Sequence, residues 1–228
     1  MSARFYTDDA LKQGDFVLTG PEAHHLANVR RLQPGETVLL FNGDGCEYPA
    51  TITAVGKRDV QLQVANGIAI GRESATRVHI GSAMPKGDRA DFLIEKLTEL
   101  GVTEFTPLHT ARAVVQPKPA IVDKLQRAVI EASKQCGRTV LLKVHPPKTF
   151  TQWITSAELP PVKWLLHPGN ELLSRSAARD VALAIGPEGG FTDDETSAAQ
   201  SAGFLPRSLG PRILRIETAA LAAATLLT

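Results

Sequence analysis

Three short stretches place glycine beside residues able to hold a ligand or act on one: LHPGN at 166–170, IGPEGGFTDDE at 185–195 and LGPRILRIETAA at 209–220. In the second, Gly186, Gly189 and Gly190 surround Pro187 and Glu188. Such glycines let backbone come close to a ligand while proline fixes the path, and a plain strand-to-helix turn needs fewer of them. Thr192 and Glu195 then form a T-x-x-E capping box that should open a helix. Asp193, Asp194 and Glu195 crowd that helix N-terminus, where bare N–H groups would otherwise attract phosphate. The loop therefore suits a neutral or cationic ligand better than an anionic nucleotide. Neither GxGxxG nor GxxxxGK[ST] occurs, which removes the Rossmann oxidoreductase reading. The third stretch sets Arg212, Arg215 and Glu217 between a Gly-Pro and an alanine-rich run, Ala219, Ala220, Ala222, Ala223 and Ala224, whose small side chains permit very close helix packing.

These loops follow strand-like runs, and in parallel sheets ligands sit beyond the carboxyl ends of the strands. RVHIGSAM, VTEFTPL, VKWLLH, VALAIG and FLPRSLG read as strands. Between them come helical patterns: ADFLIEKLTEL, with Leu93, Leu97 and Leu100 on one face, IVDKLQRAVIEASKQC, LLSRSAARD and DDETSAAQSAG. Alternation of this kind predicts an α/β domain with a parallel sheet covered on both faces. The first sixty or so residues read differently, as short strands with period-2 features (DFVL, ETVLLF, EYPATITAV, KRDVQLQV), one helical piece near 22–31, and a hairpin turn NGDG at 42–45. That is the pattern of a small β-barrel. ANGIAIGRESAT at 65–76 reads as a linker, giving domains 1–72 and 73–228.

Composition sets outer limits. With 228 residues, 43% hydrophobic and 21% charged, the chain can bury one substantial core plus a smaller one. A net charge of +1 excludes a broadly basic surface, so nucleic-acid affinity must come from local patches. Lys86, Arg89 and Lys96, with Arg30, Arg31, Lys57 and Arg58 in the barrel, are the candidates for phosphate contact. The N-terminus lacks a signal-like apolar run, and the uncharged stretch 218–228 is too short to span a bilayer, so a cytoplasmic protein is expected. Cys46 and Cys136 stand alone, and no histidine reads as a metal ligand.

IGPEGGFTDDE followed by LGPRILRIETAA, with LLHP before them, KGDRADFLIEKLTELGV and EASKQCGR upstream and HHLANVRRLQPGETVLLFNGDG near the start, closely resembles the SPOUT-class 16S ribosomal-RNA uridine N(3)-methyltransferases over nearly the whole chain. The resemblance implies a PUA-like RNA-binding barrel ahead of a trefoil-knotted α/β domain, a homodimer, and methylation of a decoding-region uridine, with 16S rRNA in the small ribosomal subunit as partner. It also implies that the three loops hold S-adenosylmethionine through Leu166, His167, Pro168, Gly186, Pro187, Glu188, Gly189, Gly190, Leu209, Gly210, Leu214, Thr218 and Ala219. That ligand carries a sulfonium and no phosphate, in agreement with the charge argument. Arg30, Arg31, Lys86, Arg89, Glu131 and Gln135 would face the RNA.

Methylation at N(3) requires a uracil nitrogen to lose a weakly acidic proton and attack a methyl group. Arg138, Arg212 and Arg215 are candidates to stabilise charge spreading onto the uracil oxygens; Glu217 or Glu131 could accept the proton or could simply pair with a neighbouring arginine. N(3) lies on the pairing edge, so the target must be unpaired or flipped out. Two other readings remain open on sequence alone: a methyltransferase of the same class acting on another base or a ribose 2′-oxygen, and a non-catalytic RNA-binding assembly factor.

Overall fold

The computed structural model describes residues 3–169, 171–175 and 177–228. By backbone contacts the chain divides into two compact units, Met1–Glu73 with Ser133–Leu141, and Ser74–Ala132 with Leu142–Thr228.

In the first unit, strands β1 (Arg4–Tyr6), β2 (Gly14–Thr19), β3 (Thr37–Phe41), β4 (Cys46–Val55), β5 (Asp59–Val64) and β6 (Ile68–Ala69) form one sheet in the order β1-β3-β4-β5-β2, with β6 on β4. The expected small barrel is thus a half-barrel: among the described residues no ladder joins β1 to β2. Helix α1 (Gly20–His24) runs directly into a π-helical turn, His25–Val29, and buries Ala23 and Leu26 against Val38, Leu40, Ile52, Val60 and Leu62. Strict alternation along β5 puts Val60, Leu62 and Val64 into this core. The NGDG turn joins β3 to β4 as expected, but the positive φ falls on Gly43 (94°) and Gly45 (92°), while Asn42 and Asp44 accept hydrogen bonds from the backbone N–H groups of Asp44 and Cys46. The stretch read as a plain linker contains β6, paired antiparallel to β4 at Cys46↔Ala69 and Glu47↔Ile68. Within the same unit Glu47 receives Arg4 and Arg72, and Glu73 takes a forked pair of bonds from Arg138.

The second unit is the predicted α/β domain. Strands β7 (Arg77–Ser82), β8 (Glu104–His109), β9 (Lys143–Val144), β10 (Lys148–Thr149), β11 (Val162–Leu166), β12 (Asp180–Ile185) and β13 (Leu205–Arg207) order as β10-β8-β7-β12-β11-β13, with β9 on β8. Every pairing is parallel. Helices α2 (Arg89–Glu99) and α6 (Ile216–Leu227) pack together on one face; α4 (Phe150–Ile154) and α5 (Asp193–Ser201) pack together in this unit, α4 over β8 and β10. The longest helix is α3 (Ile121–Cys136). Leu93 and Leu97 of α2 are buried as their spacing predicted, joined by Ile94, whereas Leu100 is only half-buried. Close packing of α6 through alanine is real: Ala220, Ala223 and Ala224 are fully enclosed.

One predicted element is missing. The described residues of LLSRSAARD form no helix (Ser176 lies outside them), because Leu173 N–H bonds to Ser208 C=O and Ser208 N–H to Glu171 C=O, each at 2.7 Å. Backbone groups committed to a neighbouring segment are not available for i→i−4 bonds. Short β9, β10 and α4 carry too few residues for a period to show.

Candidate active site

Because the sheet is parallel, β11, β12 and β13 deliver their following loops to the same edge. There, residues after Leu166, Ile185 and Arg207 enclose a cavity of about 280 Å³. His167 N–H bonds to Arg207 C=O (2.8 Å), tying the first loop to the third. Ser208 both accepts from Gly210 N–H and donates to its C=O, which fixes the third loop where Gly210 adopts φ 109°. In the middle loop a turn closes by Gly190 N–H to Pro187 C=O (2.8 Å), with Gly190 at φ 67°.

Residues from the β8–α3 connection hold that loop from outside. Arg112 Nη1 donates to Gly189 C=O (3.0 Å) and Phe191 C=O (3.1 Å). Ala111 N–H donates to Glu195 Oε1 (2.8 Å), while Glu195 Oε2 accepts from Thr192 N–H and Thr192 Oγ1 from Glu195 N–H. The predicted capping box is therefore present and also anchors a second loop.

The cavity is lined by Leu166, His167, Pro168, Gly186, Pro187, Glu188, Gly189, Gly190, Leu209, Gly210, Leu214 and Ala219, and by Arg212. Thr218 is exposed on α6 and does not line it; Asn170 of the first loop lies outside the described residues. Sequence reasoning missed Arg112, Ile185, Phe191, Ser208 and Ile213 of the lining. For Arg112 a signal existed, since it lies three residues past the end of a parallel strand.

A second, smaller hollow of about 200 Å³ shares Pro187 and Glu188 with the first and adds Lys86, Arg89, Val114 and Ile216. At its floor Arg89 stands between two carboxylates, 3.4 Å from Glu217 Oε1 and 4.0 Å from Glu188 Oε1. Glu217 is 7% exposed, and its Oε2 has no partner among the described residues. Arg215 caps α6, is exposed, and its side chain makes no capping bond. The remaining candidates sit elsewhere. Arg138 is buried at 4% exposure with its guanidinium on Glu73, and Arg30, Arg31 and Gln135 are exposed residues of the first unit, Arg31 at φ 56°. Glu131 is exposed on α3.

The lining is largely apolar and glycine-rich, with Arg112, Arg212 and Glu188 as its charged residues, and the three acidic residues at the start of α5 lie outside it. Residues 72–228 match the family model of an RNA methyltransferase domain, and residues 18–65 that of an RNA methyltransferase PUA domain. A ribosomal RNA small subunit methyltransferase E of Synechocystis is 36% identical over 211 residues, covering 89% of this chain and 69% of that protein. Two solved structures are similar throughout. One, from Legionella pneumophila, is described as a methyltransferase in complex with S-adenosylmethionine (35% identity, TM-score 0.90, covering 98% of this chain and 96% of that one). The other is a ribosomal RNA small subunit methyltransferase E from Neisseria gonorrhoeae bound to S-adenosylmethionine (31% identity, TM-score 0.90, covering 98% and 95%). Fold and site thus define a two-unit RNA methyltransferase with a PUA-like N-terminal part. The chain belongs to the ribosomal RNA small subunit methyltransferase E family.

Proposed function

We propose that the protein methylates N(3) of a uridine in the decoding region of 16S rRNA, using S-adenosylmethionine bound in the cavity of the three loops. The observation that carries this reading is the pairing of a glycine-walled cavity, formed by the three loops, with an adjoining hollow lined by Lys86 and Arg89, the latter paired to the buried carboxylate of Glu217. The cofactor, when bound, supplies an electrophilic methyl on a sulfonium. Among the charged residues of the lining, Glu188 suits that positive charge.

The rest of the chemistry belongs to the chain. Glu217 accepts the N(3) proton, while Arg89, 3.4 Å from its Oε1, aligns the carboxylate. Arg212 on the cavity wall and exposed Arg215 beside it stabilise charge on the uracil oxygens. Lys86 and Arg89 meet the RNA from the hollow, with Arg30, Arg31, Glu131 and Gln135 as further contacts. Arg138, sequestered on Glu73, pins the first unit and takes no part in turnover. In this reading 1–72 is the RNA-binding module and 73–228 the catalytic one, the three loops are where the knot is tied, and the protein works in the cytoplasm as a homodimer on the small ribosomal subunit.

The test is mass mapping of methylated nucleosides in 16S rRNA from a strain lacking the gene, with and without added protein and cofactor. A single 3-methyluridine that vanishes on deletion and returns on addition is expected. Restoration of a 2′-O-methyl or another base mark would replace the uridine assignment, and S-adenosylmethionine failing to bind would leave a non-catalytic RNA-binding protein.

A further inference from the structure

We propose that His79, Glu104 and His145 form a binding site for a divalent transition-metal ion, Zn²⁺ by the nature of the donors, at the amino-terminal end of the second unit's sheet. The three loops leave the carboxyl ends of β11, β12 and β13 in the same parallel sheet, and none of the three donors lines the cavity they enclose.

Strand geometry brings the donors together. His79 on β7 stands opposite Glu104 on β8, and Glu104 stands opposite Lys143 of β9, two residues before His145. Alternation puts all three side chains on one face of the sheet. His145 Nε2 lies 2.6 Å from Glu104 Oε2, and His79 Nδ1 lies 3.9 Å from that same oxygen. Their ligand atoms fall within 4.8 Å of one another.

A proton-only network explains half of this. It accounts for the His145–Glu104 bond, but 3.9 Å leaves His79 Nδ1 beyond hydrogen-bond reach of the carboxylate. Around tetrahedral zinc, with bonds of about 2.0–2.2 Å, neighbouring ligand atoms stand roughly 3.3 Å apart. The two observed separations straddle that value, so small side-chain rotations would close the set.

The surroundings suit a ligand cluster. His79 Nε2 is 2.9 Å from Thr106 Oγ1, an outer partner that holds the ring with Nδ1 turned to the carboxylate. Trp153 packs edge-on against the same ring, with centroids 5.5 Å apart and its Nε1–H donating to Nε2 at 3.4 Å, and the His145 ring stacks on it at 5.2 Å. Arg77 engages the other carboxylate oxygen, Oε1 (3.2 Å), and Asp180 (3.6 Å), which leaves Oε2 to the imidazoles. A hollow of about 240 Å³ lined by His79, Thr103 and Glu104 gives an approach to two of the three donors.

The experiment uses the full chain, stripped with chelator and gel-filtered, then titrated with ZnCl₂ in a calorimeter and with CoCl₂ while recording visible absorption. One equivalent per chain and the d–d bands of four-coordinate cobalt are expected. Glu104→Gln and His145→Gln should each weaken binding by about 10- to 100-fold or more, while His109→Gln, a histidine outside the cluster, should bind as wild type. Should one variant fail to fold, the other still decides, and zinc-edge anomalous scattering from wild-type crystals locates the ion directly. Absence of stoichiometric binding, binding that survives both substitutions, or an ion found elsewhere would overturn the site and leave the cluster as a structural ion pair.

Discussion

At the scale of single residues, the two loops richest in glycine and arginine make separable demands. Gly189 is not at positive φ, and a Cβ built there meets Arg112 at 3.5 Å, an ordinary contact. Gly189→Val should therefore leave the fold intact while placing bulk on the cavity wall; calorimetry should show S-adenosylmethionine binding abolished, and unchanged affinity would move the cofactor away from this loop. Arg215 makes the opposite case. Its guanidinium is exposed beside the lining residue Leu214, free to present a planar fork to uracil oxygens. Arg215→Ala should lower the single-turnover methylation rate by about 10²- to 10³-fold with little change in cofactor affinity, the usual loss for one preorganised donor. A rate within a few-fold of wild type would pass the role to Arg212, which does line the cavity. Glu217→Gln should reduce the rate as well in the same single-turnover assay, and an unchanged rate would remove it as the proton acceptor.

At the scale of elements, the cofactor loop is a strand-to-helix connection held at both ends. Phe191 packs on Phe150 with centroids 4.6 Å apart, and a Cβ at Gly186 would come within 3.1 Å of that Phe191 ring. Arg112 then fastens the loop's carbonyls and Glu195 its capped helix. Arg112→Ala should raise the S-adenosylmethionine dissociation constant by about tenfold, the loss expected for charge-assisted bonds that position a ligand wall, without changing Tm greatly. Glu195→Ala removes one half of the capping box and the anchor of Ala111; about 1 kcal/mol is expected, read as a Tm drop of about 2–4 °C in a chain of this length. An unchanged Tm would mean the cap adds nothing to global stability.

At the scale of the whole molecule, several large apolar side chains stay uncovered in the second unit, among them Ile213 at 79% exposure, Val114, Leu172 and Leu205. The alanine face of α6 is buried within the chain, so the exposed apolar residues are what argues for a partner. Sedimentation at micromolar concentration should give a dimer, and an active monomer would refute it. No helix among the described residues is long and apolar enough to cross a membrane.

What the sequence determined by itself is local. Leucine spacing in α2, the T-x-x-E cap of α5, the NGDG turn and the alternation of strand and helix are set by interactions within a few residues, and the parallel sheet with its loops at one edge follows from them. The three loops were legible because glycine is needed where backbone must come close. Tertiary structure decided the rest. The described residues of LLSRSAARD, 172–180, lost their helical reading to bonds between Glu171, Leu173 and Ser208, far along the chain. Ser133–Leu141 groups with the first unit, where Arg138, a catalytic candidate on composition, is spent on Glu73. Ala111 meets Glu195, and Arg112 meets Gly189 and Phe191, across 77 to 84 positions of chain. His79, Glu104 and His145 converge only because three parallel strands align in register. Such meetings depend on which strands become neighbours, and strand order is fixed by the packing of the whole sheet, which no local period records.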